Sequence, residues 1–285
     1  MKQGLLLLLS CAAILTLASE ENSEDIVLNK LDNIESKLQE LQNALQNLRE
    51  EVLKNRAEIK PSCAKNIETS LLCRNVSSQV SGVYQISINN GTESFPAFCE
   101  QKAHGGGWLV VQHRFDGSVD FDRNWDAYRK GFGSVGGEYW IGLDRLHQLT
   151  SSRRQELLIE MKSFSDREGF AHYKAFEIGC EIDNFSLKII DGYSGTAGEG
   201  LEYHKGSNFS TLDHNNNLNT SPDYTTTKQG GWWYGKGWTN LNGPYINSRS
   251  IDSMFWYNLN GYYANNRYYY PALSHSRMMI RPVVS

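Results

Sequence analysis

The chain has 285 residues, 40% hydrophobic and 12% aromatic, which is enough for one large domain with an appendage or for two modest domains. A formal net charge of −4 and the lack of any basic run exclude a protein that works by neutralising nucleic-acid phosphates.

At the N-terminus, Lys2 precedes an apolar run from Leu5 to Leu17 that closes on the small residue Ala18. This is the pattern of a secretory signal peptide over 1–18, too short to span a bilayer comfortably. No later stretch is apolar for long enough to form a membrane helix, so the mature chain is expected to be soluble, secreted and extracellular. Cysteine usage agrees. Cys11 leaves with the signal, and Cys63, Cys73, Cys99 and Cys180 form an even set for an oxidising compartment, with three possible pairings. Sequons occur at Asn75, Asn90, Asn184, Asn208 and Asn219. Asn184 lies in a run that reads as a strand and Asn219 is followed closely by Pro222, which leaves Asn75, Asn90 and Asn208 as the glycosylation candidates.

Residues 24–60 read as an α-helical coiled coil. Leu31, Leu38, Leu45, Val52 and Ile59 recur at one heptad position, and Val27, Ile34, Leu41, Leu48 and Asn55 at the other, over roughly five heptads. A lone amphipathic helix packed on a globular domain would not need so strict a seam. In a parallel assembly, Lys30 would face Glu35 and Glu51 would face Arg56, both attractive, so parallel homo-oligomerisation is expected. Pro61 ends the helix. Cys63 follows at once, where neighbouring chains are close, and could bridge subunits.

Residues 63–285 read as one globular unit of short strands and frequent turns. Gly82–Ile88 alternates and then turns at Asn89–Gly91. Trp108–Gln112 is a buried strand, Asn124–Gly131 a short helix or turn, and Leu143–Thr150 a helix. Gln155–Lys162, Ala175–Ile178 and Phe185–Ile190 read as strands. From about Asp191 onward Gly, Asn, Tyr and Ser dominate and periodicity is lost, as in a loop-rich subdomain held by aromatic packing or a metal. The fold class is α+β, with a short-stranded antiparallel sheet feeding a loop-rich C-terminal end.

Two stretches invite a functional reading. Gly230–Gly243, GGWWYGKGWTNLNG, sets large rings among glycines that let backbone run close beside them. Asp213–Asn219 is a run of oxygen donors suited to a hard cation, or equally to a solvated turn. Enzyme signals are missing. Gly131-Phe-Gly133-Ser-Val-Gly136 formally matches a dinucleotide fingerprint but follows no buried strand. There is no nucleophile elbow, phosphate-binding loop, HExxH or CxxC, and the seven histidines show no zinc spacing. The chain is therefore not expected to be an enzyme.

In order, the globular part resembles the fibrinogen C-terminal-like domain. The similar segments include Cys73 with Gly82-Val-Tyr, Phe98-Cys99-Glu100, Gly105-Gly-Gly-Trp108, Asp116-Gly-Ser118 and Gly137-Glu-Tyr-Trp-Ile-Gly-Leu-Asp144. Gly192-Tyr-Ser-Gly-Thr-Ala-Gly198, Phe209-Ser-Thr211, Gly231-Trp-Trp-Tyr234, Asn240-Leu-Asn-Gly243 and Met279-Ile-Arg-Pro282 continue the series. With a signal and a short coil, the chain is similar to the secreted insect fibrinogen-related proteins. The ficolins and tachylectins, innate-immune lectins, share the domain.

The resemblance implies a Cys73–Cys99 disulfide. It implies a calcium loop at Asp213 and Asn215, with backbone carbonyls near Asn217 and Asn219. It implies an acetyl-group pocket at Gly237 and Trp238 with nearby rings such as Tyr245 and Trp256. The departures are specific. Both cysteines of the family's second disulfide are missing, their places being held by Asp223 or Tyr224 and by Gly237. Trp238 replaces a histidine, and Asn215 replaces a calcium aspartate, which weakens the calcium site because a neutral oxygen stands for a carboxylate. Many members carry a cis peptide before the second cysteine. Its counterpart is Lys236–Gly237, and without the disulfide that helps impose it, trans is the expectation. What the resemblance implies for function is an oligomeric innate-immune lectin for carbohydrate or acetylated groups on microbial surfaces. The alternative is an adhesion or signalling ligand that binds protein through the same surface.

Overall fold

The computed structural model describes residues 30–51, 72–88, 93–217, 230–248, 252–259, 262–264, 267–269 and 271–283. The signal peptide, Cys63, Asn90, Asn219 and both ends of the expected coil lie outside the described residues. The chain divides into two units, Met1–Ser62 and Cys63–Ser285.

In the first unit, α1 spans 30–51. Its seam residues Leu31, Ile34, Leu38, Leu41, Leu45 and Leu48 are all exposed, from 51% for Leu31 to 70% for Leu45. Seven-residue spacing keeps them on one stripe of the helix. Side chains elsewhere bond along the helix, Gln39 to Asn43 at 3.3 Å and Gln46 to Glu50 at 3.1 Å.

The second unit is built on one antiparallel sheet. Its strands are β1 (Gly82–Ile88), β2 (Glu93–Glu100), β3 (Trp108–Arg114), β4 (Phe132–Gly133), β5 (Tyr139–Trp140), β6 (Gln155–Ser163), β7 (Glu168–Ile178) and β8 (Leu187–Gly195). After a separate hairpin of β9 (Tyr262–Ala264) and β10 (Arg267–Tyr269), the chain closes with β11 (Leu273–Pro282). The order across the sheet is β1-β2-β3-β11-β6-β7-β8, with β4 and β5 a short spur on β3. The last strand therefore fills the middle, pairing Met279 with Val110 on one side and with Leu158 on the other. β1 meets β2 with Ile88 opposite Glu93, and Gln155–Ser163 turns directly back into β7.

Two helices pack on this frame, α2 (Trp125–Lys130) and α3 (Leu143–Ser152). Asn124 starts α2 by accepting the Ala127 N–H, and Gly131 ends it at φ 92°. α3 buries Leu143, Leu146 and Leu149, one apolar stripe at helical spacing. Beyond β8 the chain is loops held by rings. Trp233 lies 5.1 Å from Trp232 and 5.2 Å from Phe209, both edge-on, and Phe209 is 5.3 Å from Tyr128.

Cys73 and Cys99 are disulfide-bonded, with Cα atoms 5.3 Å apart, as the resemblance implied. Cys180 is also disulfide-bonded, to a partner outside the described residues. The expected strand over Phe185–Ile190 starts instead at Leu187. Asn184 caps a 3-10 turn at φ 49°, a left-handed conformation that asparagine tolerates, so it is not a strand residue.

One pair in the sheet makes stability depend on pH. His113 on β3 and His275 on β11 meet Nε2 to Nε2 at 3.3 Å. Burial, then the positive neighbours His275 and Arg277, lowers the His113 pKa from 6.5 to about 4, and burial followed by Arg277 lowers that of His275. The unfolded chain thus binds protons that the native state refuses. Stability is full above pH 6.5 and falls as pH drops toward 4, with a slope of up to about 1.4 kcal/mol per pH unit for each proton. Denaturant midpoints at pH 7 and pH 5 check this, and His113→Gln should flatten the difference; equal midpoints in the native chain would refute it.

Candidate functional site

The glycine-rich aromatic segment 230–243 is anchored to the sheet before it forms any cleft. Gln112 on β3 donates to the Leu241 carbonyl at 2.9 Å and Arg114 donates to that of Gly243 at 2.9 Å. Asn242 reaches back to the Gly231 carbonyl at 2.9 Å. Trp232 and Trp233 are fully buried, and the Trp233 indole donates to the Phe185 carbonyl at 2.8 Å. These two rings are core.

Downstream, the segment turns outward against the 202–207 turn. His204 is fully buried, and its Nδ1–H donates to the Trp233 carbonyl at 2.8 Å. Gly237 lies against the other side of the imidazole, so that a Cβ at this position would be 2.2 Å from His204 Nε2. A Cβ on Gly235 would be 2.1 Å from Ser207 Oγ. The glycines let this backbone lie against the His204 ring and the Ser207 side chain more closely than a Cβ would permit.

A cleft of ≈ 300 Å³ opens beside this seam, lined by Glu199, Gly200, Tyr203, Lys236, Gly237, Trp238 and Tyr257. Tyr203 is 66% exposed, and Trp238 and Tyr257 are each 38% exposed. Three large rings with solvent-facing surface around one glycine corner make a shallow, aromatic cup. Glu199 forms its back wall, but its carboxylate is already engaged. It accepts from the Tyr173 hydroxyl at 2.7 Å and from the Leu201 and Glu202 amides at 3.0 and 2.9 Å.

Of the four ligand-binding candidates, the structure brings Gly237 and Trp238 together here and separates the other two. Trp256 is buried beneath the cup: its indole donates to the Gly198 carbonyl at 3.1 Å and its ring lies directly under Gly200. It is floor, not a contact surface. Tyr245 lines a different cleft with Arg114, Gly117 and Asp120, and its hydroxyl bonds the Phe115 and Ser274 carbonyls at 2.8 and 3.1 Å. Tyr203 and Tyr257 are the rings that sequence reasoning missed. Tyr203 stands in Glu-Tyr-His before the Asn run, and nothing in its spacing marks it as exposed. The peptide at Lys236–Gly237 is trans, as is every peptide among the described residues. That counts against a pocket of the family's acetyl-binding geometry.

The oxygen-donor run fits calcium poorly. Asp213 Oδ1 accepts the Trp125 amide at 2.9 Å and the Thr211 hydroxyl at 2.7 Å, which satisfies a donor at the start of α2. Asn215 Oδ1 accepts the Asn217 amide at 3.0 Å. Only one carboxylate is present in the run, and Asp213 Oδ1 and Asn215 Oδ1 are each committed to hydrogen bonds within the domain. Asp213→Ala should therefore lower stability by about 1 kcal/mol, and by the same amount with calcium or with chelator. A loss seen only with calcium would show that the aspartate acts through the metal. Among the glycosylation candidates, Asn75 is exposed, whereas Asn208 is half-buried with its amide on the Asn216 carbonyl at 3.2 Å.

The unit thus sets its final strand inside an antiparallel sheet and carries an aromatic cup on a loop-rich end. Residues 72–283 match the family model described as "Fibrinogen beta and gamma chains, C-terminal globular domain", and the chain belongs to that family. It is 40% identical over 182 residues to ficolin-3 of Homo sapiens, covering 62% of this chain and 60% of that one. It is 37% identical over 211 residues to fibrinogen C domain-containing protein 1 of Mus musculus, covering 72% of this chain and 45% of that protein. To angiopoietin-4 of Bos taurus it is 38% identical over 204 residues, covering 71% and 40%. The chain thus spans only 40–60% of the length of these relatives. Among solved structures, the fibrinogen-like globe domain of human ANGPTL6 superposes with a TM-score of 0.67 at 34% identity, over 78% of this chain and 99% of that one. The lamprey fibrin D-dimer, solved with the peptide Gly-His-Arg-Pro-amide, gives 0.62 at 25% identity over 96% of each chain. The related proteins are recognition or ligand proteins, not enzymes. No helix among the described residues is long and apolar enough to cross a membrane.

Proposed function

We propose that this chain is a secreted, oligomeric recognition protein of the insect fibrinogen-related kind. Its signal peptide (1–18) and coiled coil (24–60) precede a recognition domain (63–285), and the Trp238 cup holds carbohydrate or acetylated groups on microbial surfaces in innate defence. The observation that supports this reading is the cup itself: Tyr203, Trp238 and Tyr257 turn ring surface toward solvent around Gly237. Exposed aromatic faces suit the apolar face of a sugar or a methyl group, and the polar rim orients it. No step in this reading needs a metal. The likeness to ficolin-3 supports the same assignment.

The test is retention on N-acetylated resin or on bacteria, with elution by N-acetylglucosamine. Trp238→Ala should weaken binding about tenfold, the loss of one stacking face. Retention that free sugar does not reverse, and that Trp238→Ala leaves intact, would overturn the assignment. The second reading, a protein-binding adhesion or signalling ligand, is supported by the trans Lys236–Gly237 peptide and by the angiopoietin-type relatives. In that case binding to cells survives enzymatic removal of their glycans.

A further inference from the structure

The aromatic cup has a neighbour of different character. A second well of ≈ 330 Å³ has Glu202, Tyr203, Lys205, Asn208, Asn217 and Lys236 in its lining. It shares Tyr203 and Lys236 with the cup. We infer that the two wells form one track for an acidic saccharide. The acetylated sugar lies in the cup, and the carboxylate or sulfate of the adjoining sugar lies against Lys205 and Lys236. This rests on the reading of the cup as a saccharide site.

Three observations converge. The first is the rigidity of the offset between the wells. Gly235 and Gly237 press the 235–237 backbone onto Ser207 and His204, leaving no room for a Cβ at either place. Two wells that both draw their walls from this seam keep a fixed separation, as recognition of two adjoining units requires. The second is charge. Lys205 and Lys236 enter no ion pair among the described residues, whereas Lys130, Lys162 and Lys188 each sit on a nearby acid. Two unpaired ammonium groups against the single Glu202 leave the well cationic, in a chain whose net charge is −4. The third is the divider. Tyr203 is 66% exposed and walls both wells, so one ring face is available to a sugar that bridges them.

The occupant is a saccharide in preference to an acidic peptide strand. A peptide held by strand addition needs a row of free backbone groups on a sheet edge. The lining residues 202–208, 216–217 and 234–236 belong to no strand of the sheet, and they offer mainly amide, hydroxyl and ammonium side chains. Those groups suit ring hydroxyls and a carboxylate or sulfate.

The experiment compares three probes on the full chain by calorimetry at low salt. They are the tetramer of N-acetylglucosamine, a tetrasaccharide alternating N-acetylglucosamine with glucuronate, and poly-glutamate. The acidic tetrasaccharide should bind about fivefold more tightly than the neutral one, the size of one or two exposed charge contacts. That gap should close at high salt, where the Debye length is about 3 Å. Lys205→Gln should narrow the gap to about twofold, the share of the remaining Lys236, and leave the neutral tetramer's affinity unchanged, whereas Lys205→Arg should keep it in full. Equal affinity for the two saccharides in the native chain would overturn the track while leaving the cup standing. A gap left undiminished by Lys205→Gln would overturn it as well, as would poly-glutamate binding as tightly as the acidic sugar. Failure of both saccharides to bind would refute the cup and the track together.

Discussion

Leu38→Asp combined with Leu45→Asp is expected to give a folded single chain that binds soluble saccharide as before but no longer stays on cells. Both leucines lie on the exposed stripe of α1, at 55% and 70% exposure. In a parallel assembly each aspartate would meet its own copy inside an apolar seam, and like charges buried together are among the costliest placements available. The cup, in contrast, is shallow. An acetylated sugar in it would make a few hydrogen bonds and bury one methyl, so single-site affinity should be on the order of millimolar, or about −4 kcal/mol. Linking several heads through residues 24–60 would raise effective affinity on a repeating surface by ~10²–10⁴ with no new contact. The variant should therefore lose that factor on bacteria and nothing in calorimetry with a monovalent sugar. Sedimentation establishes that it is monomeric; unchanged cell binding by that monomer would refute the avidity argument.

Gly237→Ala is expected to destabilise the domain by about 2–4 kcal/mol and to abolish binding in the cup. The added methyl would sit 2.2 Å from His204 Nε2. The imidazole cannot step aside, because it is fully buried and its Nδ1–H is committed to the Trp233 carbonyl. Gly237→Cys, which restores the residue type the family carries here, should be at least as damaging, since the second cysteine is missing and the sulfur adds bulk. His204→Ala opens a cavity and costs stability by itself. In the double variant the two losses should fall short of additive by about 1 kcal/mol or more, because each removes the other's clash or void. Thermal melts of the four proteins measure this coupling. Strictly additive losses would mean that the glycine is needed for its backbone alone.

How much of the site was legible can be traced residue by residue. Gly237 and Trp238 were recognisable because a glycine between lysine and tryptophan stands where the family has a cysteine. Trp256 and Tyr245 joined them as the nearby rings that the resemblance implies. An aromatic residue is as suited to a core as to a ligand surface, and which side of Gly200 a ring occupies depends on a chain crossing that no local pattern encodes. Asp213 shows the same limit. A carboxylate in an Asn-rich loop reads as a cation ligand, yet the N-terminus of α2, 88 residues earlier in the chain, takes its oxygen.

The sequence by itself determined the local elements. Alternation placed β1 at Gly82–Ile88, a continuous apolar run gave β3, and Asn124 and Gly131 bracketed α2. It also determined the exposed heptad stripe, because a strict seven-residue repeat has only one helical geometry. Only the tertiary structure decided where the C-terminus goes. Leu273–Pro282 alternates poorly, with Ser274, His275, Ser276 and Arg277 near its start, and is a strand because β3 and β6 both offer it backbone partners. The cup, likewise, exists only through packing. Residues 202–207 and 235–237 meet through contacts of a glycine with a buried histidine and of another with Ser207, and such contacts between distant segments are set by the packed core, not by propensity.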